Sequence, residues 1–349
     1  MKKTIISFLF ILFLCSSNMA QISGDGVYLF LKLNYSARES ALGGNLISVK
    51  DNDLSLITGN PSLLNAEMDN NILLSYINYF ANVNYGLVSY AKDYGKLGTF
   101  AVGIQYNNYG EFVAANPTGV ITGEFTSAEY ALNISWAKQI TKRLSIGTNI
   151  KPIYSVLESY ESFGFASDLG ITYSNKDNGF TAALVARNMG LQITPYYSEN
   201  TENLPFEMQA GISKKLAHAP FRLSVIARNV QKWNLTYYNE SVSGNIDPTT
   251  GLLKSKSGIA DFSDKLMRHM IFGVEFLPSE SFMLRLGYNY RRHKELKLTT
   301  QSGFSGFSFG LGIKLAAINI SYSRANYHVA AASNIFTIST NISELYSRE

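Results

Sequence analysis

From about residue 71 to its end, the chain is a run of alternating strands, each close to ten residues long. One face of each strand is apolar, and the other is small, polar or charged. The connections alternate between short and long. Soluble sandwiches alternate too, but this strand length, together with the loop asymmetry and the many aromatic residues, indicates a transmembrane β-barrel. The pattern therefore predicts a membrane location and excludes most classes of enzyme.

Fourteen candidate strands can be counted. In one of the clearest, Phe100, Val102 and Ile104 share one face while Ala101 and Gly103 share the other. Because the number is even and the short turns of such barrels are periplasmic, both termini are expected in the periplasm. The strands are predicted at 72–80, 84–92, 97–107, 128–138, 143–155, 164–174, 179–188, 206–215, 220–230, 267–277, 281–292, 304–314, 316–324 and 334–343.

The first twenty residues predict a secretory signal peptide. Lys2 and Lys3 precede an apolar run from Ile5 to Cys15, and a small-residue exit ends at Ala20. The run is too short to span a bilayer, and Leu14 before Cys15 argues against a lipoprotein. Cleavage after Ala20 leaves no cysteine, which excludes a disulfide scaffold and thiol-ligated metal. The remaining 28 basic and 26 acidic residues give no argument for nucleic acid as a partner.

Residues 21–70 do not alternate like the rest. Ser36-Ala37-Arg38-Glu39 has the spacing of a capping box, and Gly43-Gly44 gives a stop. Asn60-Pro61 places a capping residue before a first-turn proline. We expect two short helices with connecting turns, inside the barrel lumen or across its periplasmic mouth. The predicted organisation is a signal peptide (1–20), an N-terminal hatch (21–70) and a barrel (71–349).

Charged residues recur on the polar face of the predicted strands. A lysine or arginine facing lipid near the midplane costs about 2–4 kcal/mol, so these residues are expected to face the lumen. Both signs are present, which favours an interior network that packs the hatch; the alternative is a substrate-selective pore. The set is Lys151, Asp168, Arg187, Glu207, Arg228, Glu275, Arg285, Arg291 and Lys314.

The sequence contains no residue pattern typical of a catalytic, cofactor or metal site. The four histidines lack the spacing of a metal-binding helix pair, and neither a phosphate-binding glycine loop nor a Gly-x-Ser-x-Gly elbow occurs. His269, at the start of the tenth predicted strand, is the candidate for a membrane hydrolase, although a histidine there is more often a lumen residue. The chain is therefore not expected to be an enzyme and needs no cofactor.

The longest predicted outer connection, 231–266, carries Trp233, Tyr237 and Tyr238 beside asparagine, serine and glycine. Aromatic residues in a polar loop are typical of a protein interface. They are equally typical of the aromatic girdle at a membrane surface. Trp233, Tyr237 and Tyr238 are therefore candidate partner-binding residues, with the girdle as the alternative.

Several motifs, taken in order, carry a family resemblance over essentially the whole mature chain. The hatch motifs resemble the start of the FadL-like barrels of the Bacteroidetes type IX secretion system, the PorV and PorQ families, and the remaining motifs favour PorQ. The motifs are Ser36-Ala37-Arg38-Glu39-Ser40-Ala41-Leu42-Gly43-Gly44, Asn60-Pro61-Ser62-Leu63-Leu64, Tyr109-Gly110-Glu111-Phe112, Lys151-Pro152-Ile153-Tyr154-Ser155, Leu204-Pro205-Phe206 and His218-Ala219-Pro220-Phe221-Arg222.

The resemblance implies a fourteen-stranded, all-β outer-membrane barrel without covalent chemistry of its own. Such a barrel anchors a PorZ-like surface protein in an attachment complex with PorV and PorU, a sortase-like peptidase that joins cargo to lipopolysaccharide. Outer-membrane lipid or lipopolysaccharide is a further expected partner. The alternative function is a FadL-type channel for long-chain fatty acids or other small hydrophobic molecules.

Overall fold

The computed structural model describes residues 26–79, 83–197, 201–236, 258–296, 304–326 and 332–346. Fourteen strands form one antiparallel sheet, in which each strand pairs with its neighbours along the chain. The sheet closes because β1 also pairs with β14, from Asn71 opposite Asn341 to Asn78 opposite Asn334. Because the sheet closes, no strand has an unpaired edge over the height that neighbouring strands share, as a sheet in lipid requires. The predicted fold class is confirmed.

The strands follow one another around the barrel in chain order. They are β1 (Asn71–Asn78), β2 (Asn84–Asp93), β3 (Thr99–Ala115), β4 (Ile121–Gln139), β5 (Leu144–Leu157), β6 (Tyr160–Asn175), β7 (Phe180–Thr194), β8 (Glu207–Lys215), β9 (Phe221–Ala227), β10 (Met270–Phe276), β11 (Phe282–Asn289), β12 (Phe307–Leu315), β13 (Ile318–Asn326) and β14 (Ala332–Asn341).

Side chains of the wall alternate between the lumen and the outside. Along β1, Leu73, Ser75 and Ile77 are buried, whereas Leu74 and Tyr76 are about half exposed. The exposed face carries large apolar side chains all around the barrel. A contiguous apolar outer band with a buried, partly polar inner face is what a membrane-spanning wall needs.

The wall is taller on one side. Strands β3 to β7 contain 14–19 residues each, while the others contain 7–10. About 9–11 tilted residues span a bilayer, so the longer strands extend beyond it. Much of the connections predicted at 108–127 and 156–163 is therefore strand, a correction to the sequence prediction. Beyond the membrane both faces meet solvent, so the alternation that marks a strand disappears.

Four α-helices and five short 3₁₀ helices complete the described chain. None of the helices in the described ranges is long and apolar enough to cross a membrane. The α-helices are α1 (Ala37–Ala41), α2 (Gly258–His269), α3 (Tyr290–Leu296) and α4 (Ile342–Tyr346). The 3₁₀ helices are Leu29–Lys32, Leu54–Thr58, Pro61–Leu63, Ala66–Met68 and Gly95–Leu97.

Helix α3 corrects one predicted strand boundary. The strand predicted at 281–292 ends at Asn289, and Arg291 lies in α3 rather than in the wall. Its Nε lies 2.6 Å from Oε1 of Glu295, one helical turn along. An ion pair at this spacing stabilises a helix and not a strand. Arg291 is therefore not part of the charged lumen face of the strands.

The two ends of the barrel differ. One end, here called the turn end, carries the short connections β2–β3 and β4–β5 and the later short ones. At this end β1 begins opposite the end of β14. At the other, the hairpin end, the backbone N–H of Val27 donates to the carbonyl of Asn203, 3.1 Å away, in the connection from β7 to β8. Residues 26–70 therefore run through the lumen from the hairpin end to the turn end. The side of the membrane on which each terminus lies stays a prediction.

The hatch fills the lumen by close packing against the wall. Leu42 and Leu46 are buried in a cluster with Val185 of β7 and Ile271 of β10. At Gly287 of β11, a Cβ would lie 2.1 Å from the backbone nitrogen of Gly43, so only glycine lets the hatch backbone approach. The short helices predicted for this segment are present and lie inside the barrel.

Candidate functional site

A cluster of charges around Arg38 joins the hatch to the wall near the turn end. Helix α1 places Arg38 in its first turn, after Ser36 caps the N–H of Glu39. Arg38 Nε donates to Oε1 of Glu275 on β10, 2.8 Å away. Its Nη2 lies 2.9 Å from Asp51, and its Nη1 lies 3.1 Å from Asp53. One buried guanidinium thus holds three carboxylates, two from the hatch and one from the wall.

Two wall arginines complete this cluster. Arg222 Nη1 lies 2.9 Å from Oε2 of Glu275, and Arg285 Nε lies 3.2 Å from Oε1 of the same carboxylate. In the hatch, burial works to raise the pKa of Asp51, but the attraction of Arg38 and Arg222 outweighs it and lowers the pKa. The carboxylate of Asp51 is therefore held ionised. Removing one member of such a buried network leaves the others uncompensated.

Further ion pairs cross the inner wall between neighbouring strands. Lys151 Nζ lies 2.7 Å from Oδ2 of Asp168 and donates to Asn188. Arg228 Nε lies 2.6 Å from Oε1 of Glu207. The predicted lumen orientation is confirmed for Lys151, Asp168, Arg187, Glu207, Glu275 and Arg285, which are all at most 5% exposed.

Glu39, the residue after Arg38, is a buried carboxyl of a different kind. It is 3% exposed, and its Oε1 has no hydrogen-bond partner among the described residues. Burial raises its pKa to about 8, although the nearby positive charge of Arg187 opposes the shift. The hatch therefore contains one carboxyl that changes its charge near neutral pH.

Two depressions open at the hairpin end. A cavity of about 270 Å³, here called the mouth cavity, lies between the hatch, the ends of β1 and β2, and α3. A groove of about 530 Å³ runs beside the outer part of β3 and β4. The lining of the mouth cavity is Lys32, Leu33, Asn34, Tyr79, Tyr85, Arg228, Asn289, Arg291, Arg292, Glu295 and Leu296.

The outer parts of β3 and β4, residues 111–126, form a projecting hairpin. Side chains on both of its faces are exposed or partly exposed, in contrast to the wall below. Phe112 and Phe125 stack across the two strands, with ring centroids 5.2 Å apart. Val120 and Ile121 at its tip are 60% and 70% exposed. Exposed apolar residues on a projecting polar element are typical of a contact surface.

Trp233 is the one predicted partner-binding residue within the described ranges; Tyr237 and Tyr238 lie outside them. Trp233 lies at the hairpin end and is 49% exposed. Its ring packs on those of Phe262 and His269, with centroids 5.3 Å and 5.8 Å away. Helix α2 therefore supports an aromatic side chain that still presents half of its surface to the outside.

His269 is held by the backbone on both sides. Its Nδ1 lies 2.6 Å from the carbonyl oxygen of Arg228, and its Nε2 lies 3.1 Å from that of Trp233. A general base needs a free ring nitrogen within reach of the proton it removes. The arrangement makes His269 a structural residue and argues against the hydrolase interpretation. Among the described residues, no group of three histidine, cysteine or acidic side chains is arranged to hold a metal ion.

Sequence reasoning missed the projecting hairpin, the mouth cavity and both loop helices. A signal existed for α3, because Tyr290-Arg291-Arg292-His293-Lys294-Glu295-Leu296 carries opposite charges four residues apart and lacks strand alternation. The cavity had no such signal, since its lining comes from five separate segments of the chain.

Comparisons with known proteins establish the fold. No family model matches the chain, and no curated protein matches it either. The toluene transporter TbuX of Ralstonia pickettii is similar in structure, with a TM-score of 0.52 and 10% identity over 90% of this chain and 100% of TbuX. The Pseudomonas putida toluene transporter TodX has a TM-score of 0.52 and 14% identity, over 89% of this chain and 99% of TodX.

A mutant of the monoaromatic hydrocarbon channel TodX, designated deltaS2, has a TM-score of 0.54 at 13% identity, over 89% of this chain and 99% of that one. Identities this low show the fold alone. The chain is a closed fourteen-stranded antiparallel barrel with a few short N-terminal helices, and its fold is that of FadL-like outer-membrane barrels. These similar structures are those of transporters and channels, not of enzymes.

Proposed function

We propose that this chain is a non-enzymatic outer-membrane barrel that anchors a surface protein at its hairpin end. One observation carries the proposal: the hatch occupies the lumen and is tied to the wall through Arg38 and Glu275, while the hairpin end extends past the wall in residues 111–126. A lumen filled by a hatch that is ion-paired to the wall favours a scaffold over an open pore. The extended end provides surface for a partner.

The motif resemblance supplies the identity of the complex in this proposal. The barrel would act as PorQ does in the type IX secretion attachment complex, holding a PorZ-like protein beside PorU and PorV. Cargo would then be joined to lipopolysaccharide at the cell surface. With the turn end in the periplasm, the projecting hairpin, Trp233 and the mouth cavity face the outside, where such a partner lies.

Co-purification from detergent-solubilised outer membrane tests the proposal. The variants are Trp233→Ala and a barrel in which Phe112–Phe125 are replaced by an Asn-Gly turn, which suits a two-residue hairpin. The control is Lys96→Ala in the exposed turn Gly95–Leu97. We expect the wild type and the control to retain one surface protein and at least one hairpin-end variant to lose it. Equal retention by all four barrels, or no surface protein with any of them, contradicts the proposal.

A channel for small hydrophobic molecules is the second candidate, because the similar structures are those of a toluene transporter and a monoaromatic hydrocarbon channel. In this function the hatch would have to move, or the wall to open, for a substrate to pass. Uptake of radiolabelled toluene or palmitate by cells carrying the barrel distinguishes the two. Uptake above that of barrel-free cells supports the channel, and retention of a surface protein without uptake supports the scaffold.

A further inference from the structure

The projecting hairpin rises above the wall without a neighbouring strand on either side. Strand β2 begins at Asn84, opposite Asn108, so β3 has no β2 partner from Tyr109 to Ala115. Strand β4 pairs with β5 only from Ser127 onward. Within the described ranges, both long edges of the hairpin therefore carry backbone groups without a strand partner. Such an edge is a template on which a further strand can pair.

A β-bulge marks the point at which the hairpin departs from the wall. The register of β3 against β4 shifts between Asn108 and Glu111. Gly110 has a φ of 85°, and its N–H donates to Oδ1 of Asn108, 2.8 Å away. A bulge bends the strand that contains it. Asn108 and Gly110 also line the groove of about 530 Å³, so open space lies next to the bend, where a longer β2 would continue.

The lining of this groove carries negative charge. Cross-strand pairing puts Glu111 of β3 opposite Thr126 of β4. Two residues further along β3, Val113 lies opposite Glu124, so both pairs share one exposed face of the hairpin. The lining contains both glutamates and no lysine or arginine, and neither glutamate forms an ion pair within the described chain. Two uncompensated carboxylates favour a partner that brings positive charge to this face.

We propose that an extended segment of the surface protein, with lysine or arginine on one face, adds as a strand to the edge of β3 from Tyr109 to Ala115. The inference rests on the proposed scaffold function and names how the partner docks. In strand addition, main-chain hydrogen bonds supply affinity and alternate side chains supply specificity. The edge is about as long as an ordinary strand. The basic side chains face Glu111 across the new pair, with Glu124 one strand further on the same face.

Binding of defined peptides to the purified full-length barrel in neutral detergent micelles tests this. The probe is a short fluorescent peptide of alternating lysine and threonine, a composition that suits a strand. One matched probe has glutamate in place of lysine. The other has proline in place of threonine, which keeps the charge but removes the backbone donors needed for pairing. We expect the lysine–threonine peptide to bind about tenfold or more tightly than either matched probe and to slow hydrogen exchange in residues 109–115.

Charge reversal on the hairpin tests the acidic face separately. Glu111→Lys replaces an attraction with a repulsion at an exposed position, so we expect it to weaken binding of the lysine–threonine peptide about threefold to tenfold. The same variant should bind the glutamate–threonine peptide better than the wild type does. The control is Glu280→Lys, at an exposed glutamate between β10 and β11 at the turn end, which should leave binding of both peptides unchanged.

Several outcomes would overturn the inference. Equal binding of the lysine–threonine and lysine–proline peptides shows attraction by charge without strand addition. No binding, or slowed hydrogen exchange only outside residues 109–115, removes the edge of β3 as the site. Full retention of the surface protein in the outer membrane by a Glu111→Lys barrel that has lost peptide binding removes this edge from docking but leaves the scaffold standing. Failure of every barrel, wild type included, to retain a surface protein contradicts the scaffold itself.

Discussion

The hatch and the projecting hairpin of this barrel differ in how far they are buried and in what stabilises them. From Tyr35 to Leu64 the hatch is almost entirely buried, and its Arg38 pairs with Glu275 of the wall. Residues 111–126 are exposed or partly exposed on both faces. They pair across their own two strands, where Phe112 and Phe125 stack. The contrast shows where the molecule resists change and where it is free to meet another molecule.

Stability should follow the same division. A segment with many buried contacts and paired charges opens only at high free energy, whereas one with few buried contacts opens locally. The hatch is expected to behave as part of the barrel and the projecting hairpin as a separate, weakly stable unit. Matched substitutions in the hatch and in the projecting hairpin test this difference in stability.

Loss of Arg38 should have the largest effect. Arg38→Met removes the cation shared by Glu275, Asp51 and Asp53, and leaving buried charge uncompensated costs about 3–5 kcal/mol. We expect a lower urea midpoint for the folded barrel in lipid vesicles, faster hydrogen exchange across the hatch and higher ion conductance in planar bilayers.

The control for Arg38→Met is Lys176→Met. Lys176 also pairs with a hatch carboxylate, Glu67, at 2.7 Å, but both side chains are more than half exposed. Exposed pairs contribute about 0–1 kcal/mol, so little change is expected. Similar losses in both variants would show that the buried cluster has no special role in holding the hatch.

Inserting a charge should cause the second-largest loss of stability, and the loss should differ between the wall and the projecting hairpin. Leu184 in β7 is 63% exposed, and Leu184→Arg puts a charge on the lipid face at an expected cost of about 2–4 kcal/mol. Val113 in the projecting hairpin is 61% exposed, and Val113→Arg should cost almost nothing, because that side chain already meets water. Urea unfolding from vesicles measures both, and equal costs would place the hairpin in the bilayer.

The pH dependence of hatch stability gives a smaller effect with a defined sign. The pKa of Glu39 is raised from its ordinary value of 4.5 to about 8 by burial. The stabilisation from the neutral carboxyl is therefore complete below about pH 4.5 and is lost as pH rises through about 8. We expect the urea midpoint to fall between about pH 4.5 and 8 and to level off above that.

Glu39→Gln keeps the shape of the neutral carboxyl and should remove this part of the pH dependence. Glu67→Gln, at a carboxylate whose side chain is 55% exposed, is the matched control and should keep the wild-type profile. A wild-type midpoint that is flat across this range would show that Glu39 stays ionised in the folded hatch.

The smallest effect is expected in the projecting hairpin itself. Phe112→Ala removes one ring of the stacked pair, and aromatic pairs contribute about 0.5–1.5 kcal/mol beyond their burial. Hydrogen exchange should accelerate in residues 111–126 while the hatch and the wall keep their protection. Acceleration throughout the barrel would mean that the hairpin is not a separate unit.

The barrel could be predicted from the sequence because lipid outside and a filled lumen inside sort side chains with a period of two. That sorting identified all fourteen strands and placed Lys151 and Glu275 inward. The alternation of side chains ends where the strands leave the membrane, so residues 111–126 were predicted as a loop. In this part of the chain solvent lies on both sides and no periodicity is selected.

The partners within the site could not be predicted, because they depend on register and on the path of the hatch. Arg38 and Glu275 are 237 residues apart in the chain, and no local pattern links them. Trp233 was chosen for its aromatic ring in a polar loop, but its support by Phe262 needed helix α2 to form over residues predicted as a connection. Packing between distant segments decided both features.

Photo-crosslinking from lipid tests whether the outer face of the wall contacts the bilayer while the hatch is shielded from it. The barrel is reconstituted in bilayers that contain a phospholipid with a diazirine on its acyl chain, and modified residues are mapped by mass spectrometry. We predict modification at the outward residues Leu74, Leu184 and Leu286, and none at their inward neighbours Ser75 and Val185 or anywhere in residues 26–70. Equal modification of adjacent wall residues, or strong modification of the hatch, would contradict a closed barrel with a plugged lumen.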